Sequence, residues 1–214
     1  MENLINYDFI KKYIEDLTPK TSEFMQKLEI FAYYNHVPII TKDTRRFLEV
    51  FLKILKPKKI LEVGTAIGYS AITFANILPD TKITTIEIDE TMFDLAYKNI
   101  KKAGYDDRIN IIFDDARNVL PYLETSYDFI FMDAAKGQYT EYYEPVKKLL
   151  KSGGVLMSDN ILFKGMVANS DLVQKNKRSI VNDLMDFNKT LSEDKDFETS
   201  FIPMGDGVAI SIKK

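Results

Sequence analysis

The sequence predicts a doubly wound α/β domain with a mostly parallel, seven-stranded sheet and an N-terminal helical lid. Three observations carry this. From Lys58 onward, short apolar runs alternate with helical patterns. The runs are apolar at successive rather than alternate positions, as strands covered by helices on both faces require. Residues 1–56 show helical spacing only. A chain of 214 residues, 45% hydrophobic and 29% charged, can bury a sizeable core as a single domain spanning 1–214 and is too mixed to be disordered or fibrous.

Leu4, Tyr7, Phe9, Ile10, Tyr13, Ile14 and Leu17 follow a helical period, which TPKTSEF interrupts and restarts. A third helix is expected from near Asp43. There Phe47, Val50, Phe51, Ile54 and Leu55 recur at i, i+3, i+4, i+7 and i+8 as a core-facing stripe, and Pro57 ends it. The α/β body follows over 57–214. Its strands are expected at 58–63, 82–88, 109–113, 127–133 and 153–159, with helices at 69–78, 90–104, 116–123 and 139–151 between them. After a loop near 160–176 comes a helix over 177–191. Two final strands, 197–204 and 207–214, join at Gly205-Asp206-Gly207, the last one antiparallel at the edge of the sheet or inside it.

Composition removes several function classes. With no cysteine there is no disulfide, thiolate zinc site, iron–sulfur cluster or cysteine nucleophile. One histidine excludes any two-histidine metal site, and His36, between helices in YYNHVPII, reads as a packing or loop residue. No apolar run approaches the roughly 18 residues of a membrane span, and MENLINYDF lacks a signal-peptide layout. A cytoplasmic protein is therefore expected. The net charge of −3 argues against broad nucleic-acid coating but leaves room for a local basic patch.

The chemistry gathers at the carboxyl ends of the expected strands, where doubly wound sheets bind ligands. The first ends in ILEVGTAIGYS. Glu62, Gly64 and Gly68 form an E-x-G-x-x-x-G turn, which alone suits a tight strand-to-helix connection as well as a ligand loop. Glu87, at the tip of strand two and 19 residues after Gly68, is placed to accept both hydroxyls of an adenosine ribose. Nicotinamide cofactors and S-adenosylmethionine both use such an acid, and the absence of G-x-G-x-x-G disfavours the dinucleotide. Strand three leads into Asp114-Asp115-Ala116, where an adenine edge would lie and where an aspartate would also cap the following helix. Strands four and five end in Asp133 and in Asp159-Asn160. Two carboxylates and an amide oxygen make a hard-oxygen set that suits Mg²⁺ or another divalent cation with open positions. Lys136, three residues beyond Asp133, would serve as a base if a cation beside it disfavoured its charged form. Tyr139, Tyr142 and Tyr143 read as helix core and surface rather than a substrate cage.

In combination, EVGTAIGYS, IEID, DDA, MDAAKGQY, SDN and GDG resemble the cation-dependent class I O-methyltransferases, the catechol and caffeoyl-CoA O-methyltransferase superfamily. The resemblance runs from about Val37 to the C-terminus and implies a Rossmann-like class I methyltransferase fold. It implies S-adenosylmethionine binding by Ile40, Glu62, Gly64, Ser70, Glu87, Asp115, Ala116 and Asp133. It further implies Mg²⁺ held by Asp133, Asp159 and Asn160, a catalytic Lys136 that takes the substrate proton, and Asp206 at the substrate site. Where catechol enzymes carry bulky residues, Ala134-Ala135 suggests a roomier mouth. DAAKGQY and DNILFKGMV are most similar to bacterial tRNA 5-hydroxyuridine methyltransferases. That similarity implies methylation of the wobble uridine of a tRNA anticodon loop, giving 5-methoxyuridine.

Three functional expectations follow. The first is this tRNA chemistry, with Lys164, Lys175, Lys177 and Arg178, and Arg45 and Arg46 in the lid sequence, gripping phosphates or forming no more than a solvated face. The second is the same transfer to a small catechol-like phenol or a CoA ester. The third is a non-catalytic nucleotide-binding module, which the intact Asp133, Asp159, Asn160 and Lys136 set counts against. A homodimer through the apolar N-terminal helices is also expected.

Overall fold

The computed structural model describes residues 7–214. Leu4, assigned above to the stripe of the first helix, lies outside them. Three helices come first: α1 (Asp8–Leu17), α2 (Glu23–Tyr34) and α3 (Lys42–Leu55). The interruption between α1 and α2 resolves into a cap, because the Ser22 side chain accepts a hydrogen bond from the Met25 backbone N–H. α3 stops in the left-handed Lys56 immediately before Pro57.

The α/β body then runs β1 (Lys59–Val63), α4 (Tyr69–Ile77), β2 (Lys82–Glu87), α5 (Glu90–Ala103), β3 (Ile109–Phe113), α6 (Ala116–Val119), β4 (Tyr127–Met132), α7 (Tyr139–Leu149), β5 (Leu150–Asp159), α8 (Arg178–Glu193), β6 (Phe197–Ile202) and β7 (Val208–Lys213). The seven strands form one sheet in the order β3-β2-β1-β4-β5-β7-β6. β1 with β2, β2 with β3, and β4 with β5 pair parallel, whereas β7 pairs antiparallel with both β5 and β6. The last strand of the chain is therefore inside the sheet, and β6 is its edge. The expected helix 116–123 is a single α-turn continued by a 3₁₀ turn, Leu120–Tyr122, which contains Pro121.

The chain packs as two compact units, one of residues 12–116 and one of residues 117–214 that also takes in residues 7–11. In the first, Ile60, Leu61, Ile72, Phe74 and Ile83 are fully buried between strands and helices. The α3 stripe needs correction. Its buried positions are Thr44, Arg45, Leu48 and Leu52, while Val50 and Ile54 are exposed. Apolar side chains cover more than one face of α3, so spacing alone could not decide which face turns inward. In the second unit Phe129, Phe131, Tyr139 and Phe187 are fully buried. Truncating a core phenylalanine such as Phe187 to alanine costs about 3–5 kcal/mol. Among the described residues no helix is long and apolar enough to cross a membrane.

Candidate active site

The first unit presents a loop built for close approach. After β1 the backbone takes positive φ three times, at Gly64 (100°), Ala66 (46°) and Gly68 (81°), where two glycines relieve the strain and one alanine bears it. Glu87 holds this loop. Its Oε2 accepts from the backbone N–H of Ala66 at 2.7 Å and of Thr65 at 3.2 Å. Its Oε1 accepts from the N–H groups of Ile88 at 3.0 Å and Asp89 at 2.9 Å. The predicted ribose acid is thus a buried carboxylate satisfied by four main-chain donors.

Beneath the loop lies Glu62, fully buried on β1 opposite Thr85. It accepts from the hydroxyls of Ser70 and, at 2.6 Å, of Thr85. Thr85 is 2.5 Å from the Thr65 hydroxyl. Glu62 and Ser70 therefore brace the loop from below through a hydroxyl network. Ile40 is buried in the segment before α3, Ala116 is buried at the start of α6, and Asp115 beside it is half-buried. Asp114 accepts the Asp115 backbone N–H at 2.6 Å.

The second unit gathers the charged residues. Asp133 follows β4, Asp159 ends β5, and Asn160 comes next in a left-handed conformation (φ 58°) that asparagine tolerates. Asp159 is buried and accepts the Asn160 N–H at 2.7 Å. Burial pushes the carboxyl of Asp159 well above the usual carboxylate range; the Asp133 charge raises it further, and Lys136 opposes the rise. Asp133 is raised by burial too, again opposed by Lys136. Asp206 is raised by burial against the pull of the Lys164 N–H and of the Lys136 and Lys164 charges. Lys136 is thus a shared cation for Asp133, Asp159 and Asp206, and the structure brings these four predicted residues together.

Asp206 has a second job. Its carboxylate accepts the backbone N–H of Lys164, which sits at φ 58°. The Asp206 carbonyl accepts from Leu162 at 3.0 Å and the Gly207 carbonyl from Ile161 at 3.0 Å. Gly207, at φ 86°, packs so closely on Leu162 that a Cβ there would overlap its side chain. The Gly205-Asp206-Gly207 turn therefore locks the loop that leaves Asn160. Lys164, Lys175 and Arg178 are exposed and Lys177 is half-buried.

Two residues not assigned a site role from sequence stand behind this cluster. The Tyr139 hydroxyl is 3.0 Å from the Asp159 carbonyl oxygen and 3.3 Å from that of Met132. Burial, and then the charges of Asp133 and Asp159, raise the Tyr139 phenol well above its ordinary range, so it stays a donor. Asp183 of α8 accepts the Tyr139 backbone N–H at 3.2 Å and the Thr140 hydroxyl. The three tyrosines of α7, expected to divide between core and surface, are all buried.

The lid arginines do not match the phosphate-gripping expectation. Arg45 is only 4% exposed and pairs with Glu49, and Arg46 pairs with the same Glu49 at 3.0 Å. A guanidinium committed to a carboxylate in its own helix is not free for a phosphate. His36 is exposed at φ 54°, a loop residue.

Comparison with known proteins decides the family. A family model described as O-methyltransferase matches residues 15–214. The chain belongs to this family. A caffeoyl-CoA O-methyltransferase of Populus kitakamiensis is 39% identical over 176 residues, covering 78% of this chain and 75% of the relative. The crystal structure of a Staphylococcus aureus protein proposed to be a caffeoyl-CoA O-methyltransferase superposes with a TM-score of 0.91 at 36% identity, covering 97% of this chain and all of that one. The Podospora anserina methyltransferase PaMTH1, solved with SAH bound, shares the fold at a TM-score of 0.89 and 24% identity, with both chains fully covered.

The protein is accordingly an S-adenosylmethionine-dependent O-methyltransferase of the class I fold. Tyr139 closes the MDAAKGQY motif, but a motif does not show which carbonyls its hydroxyl reaches, and Asp183 of this methyltransferase lies outside every motif. Thr85 had a usable signal. It is two residues before Glu87 and therefore on the same face of β2.

Proposed function

We propose that this methyltransferase transfers the methyl group of S-adenosylmethionine to one of two adjacent oxygens on its substrate, aided by a divalent cation at Asp133, Asp159 and Asn160. The observation that carries this reading is the placement of Asp133 and Asp159 side by side, each one residue past the last β4–β5 pair, Met132 with Ser158, where burial disfavours both anions and the Lys136 charge opposes it. Among the described residues no group of three or more carboxylate, imidazole or thiolate side chains is arranged to hold a metal. The donor set nevertheless fits Mg²⁺, which binds through one or two carboxylates and completes its shell with water or substrate oxygens.

A cation bound there supplies positive charge that eases deprotonation of a hydroxyl and stabilises the resulting oxyanion. Asp133 and Asp159 provide the anionic ligands and Asn160 a neutral oxygen. Lys136, as the neutral amine, accepts the hydroxyl proton while the substrate oxygen forms its bond to the methyl carbon and the carbon–sulfur bond breaks. In the first unit the Gly64–Gly68 loop and Glu87 hold the donor's adenosine. Glu87 then exchanges part of its main-chain hydrogen bonding for the ribose hydroxyls, with Asp115 and Ala116 at the adenine.

For the substrate, the caffeoyl-CoA O-methyltransferase relative supports a vicinal-diol phenol or its CoA ester. A second reading, 5-hydroxyuridine of a tRNA anticodon loop, is favoured by the exposed Lys164, Lys175 and Arg178 in the stretch after Asn160. Its 5-hydroxyl and 4-carbonyl offer the same pair of neighbouring oxygens. The exposed apolar side chains of α1, among them Phe9, Tyr13 and Leu17, support a homodimer. The deciding experiment runs methyl transfer in parallel on a catechol, caffeoyl-CoA and hydroxylated tRNA. Turnover of the phenols alone supports the first reading. Turnover of tRNA alone, abolished by Lys164→Ala/Arg178→Ala and by salt, replaces it with the second.

A further inference from the structure

The structure assigns Tyr139 a role in the site as a positioning residue: its hydroxyl, donating between the main-chain oxygens of Met132 and Asp159, sets the spacing of the Asp133 and Asp159 side chains. The inference rests on the reading that these two carboxylates hold a divalent cation. Packing does not require the oxygen. The ring is fully buried and meets Phe187 edge-on, with centroids 5.2 Å apart, which a phenylalanine would do equally well. A buried hydroxyl needs partners, and this one finds them at two strand ends.

Those ends need a tie. The parallel register of β4 and β5 finishes at Met132 with Ser158. Asp133 and Asp159 come one residue later, beyond the β4–β5 pairing, and their charges repel; Asp159 keeps its pairing with Val208 of β7, but nothing in the sheet ties it to Asp133. Tyr139 is itself fixed from the other side, by Asp183 on its backbone N–H and by Phe187 on its ring. Its hydroxyl is therefore placed by α7 and α8 and imposes that placement on the two tips. One phenol proton serves both oxygens, and the shorter contact is to Asp159.

The test is Mn²⁺ affinity, measured by electron paramagnetic resonance on the full-length protein without substrate, alongside thermal melting. Loss of one hydrogen bond of about 1 kcal/mol predicts roughly 3–10-fold weaker Mn²⁺ binding for Tyr139→Phe. Asp183→Ala, which unhooks the tyrosine backbone, should weaken binding in the same direction by a smaller factor. Tyr143→Phe is the control, because its hydroxyl bonds Asp194 instead. It should lower the melting temperature and leave Mn²⁺ affinity within about twofold. Wild-type affinity in Tyr139→Phe, with binding abolished in Asp159→Ala, overturns the role of Tyr139 and leaves the cation site standing. Wild-type protein that binds Mn²⁺ no better than Asp159→Ala overturns both.

Discussion

Glu87 Oε2 lies 2.7 Å from the backbone nitrogen of Ala66, and so one side chain at the tip of β2 holds the glycine loop that follows β1. Ala66 is in the left-handed region without being glycine, a conformation that survives only when its surroundings enforce it. Glu87→Ala removes four charge-assisted hydrogen bonds at once. The variant should lose both melting temperature and cofactor affinity, the latter by at least about tenfold at 1.5–3 kcal/mol per charged bond. Calorimetric titration with S-adenosylmethionine reads this directly, and an unchanged affinity removes Glu87 from cofactor binding.

Asp206 separates two roles by a conservative change. As a support it needs only an acceptor for the Lys164 N–H, which asparagine also supplies. Asp206→Asn should keep most metal affinity and stability, whereas Asp206→Ala should loosen the loop leaving Asn160 and cost about 1–3 kcal/mol. If substrate KM rises strongly in Asp206→Asn with stability intact, the carboxylate contacts substrate as well.

Lys136 faces three carboxylates, so charge and proton transfer must be told apart. Lys136→Arg preserves the charge but cannot act as a base. Its turnover should fall about 10²-fold or more, in the range typical of a lost general base, with metal and cofactor affinities near wild type. A normal rate in Lys136→Arg would reduce the lysine to an electrostatic partner of Asp133.

Acid stability should depend on a cluster away from the site. Asp194 accepts from Lys147 at 2.6 Å and from the Tyr143 hydroxyl. Burial acts against its anion, but these partners outweigh it and lower its carboxyl to about 2, while Lys147 is raised to about 12. The unfolded aspartate titrates near 4. Its contribution, about 1–2 kcal/mol, is therefore complete above pH about 4 and lost as pH falls toward 2. Asp194→Asn should flatten the decline of melting temperature over that window. An unaltered slope would place the acid sensitivity elsewhere.

The order of elements was legible because each βα unit announces itself by a short apolar run, a turn and a helical period. The strand-tip acids Glu87, Asp133 and Asp159 were legible for the same reason, since topology fixes where a strand ends. The burial of α3 was not, because Leu48 and Leu52 compete with Val50 and Ile54 for the same pattern and only packing chooses. Arg45 looked like a surface cation, whereas it is buried and paired with Glu49 of its own helix. Tyr139 was read with its neighbours as helix core and surface, and a sequence does not show which of them is buried or which carbonyls a buried hydroxyl will reach. The placement of β7 inside the sheet was likewise one of two options until its pairing with both β5 and β6 was seen.

The central claim is that Asp133, Asp159 and Asn160 form a cation site on which methyl transfer depends. The most direct measurement is the initial rate of methyl transfer from S-adenosylmethionine to a vicinal-diol phenol and to hydroxylated tRNA, across a Mg²⁺ titration from excess chelator to saturation, in wild type and Asp159→Ala. The account predicts a rate on one of these substrates that saturates with Mg²⁺, vanishes in chelator and is lost in Asp159→Ala although S-adenosylmethionine still binds. Undiminished turnover in chelator, equal in wild type and Asp159→Ala, would contradict it.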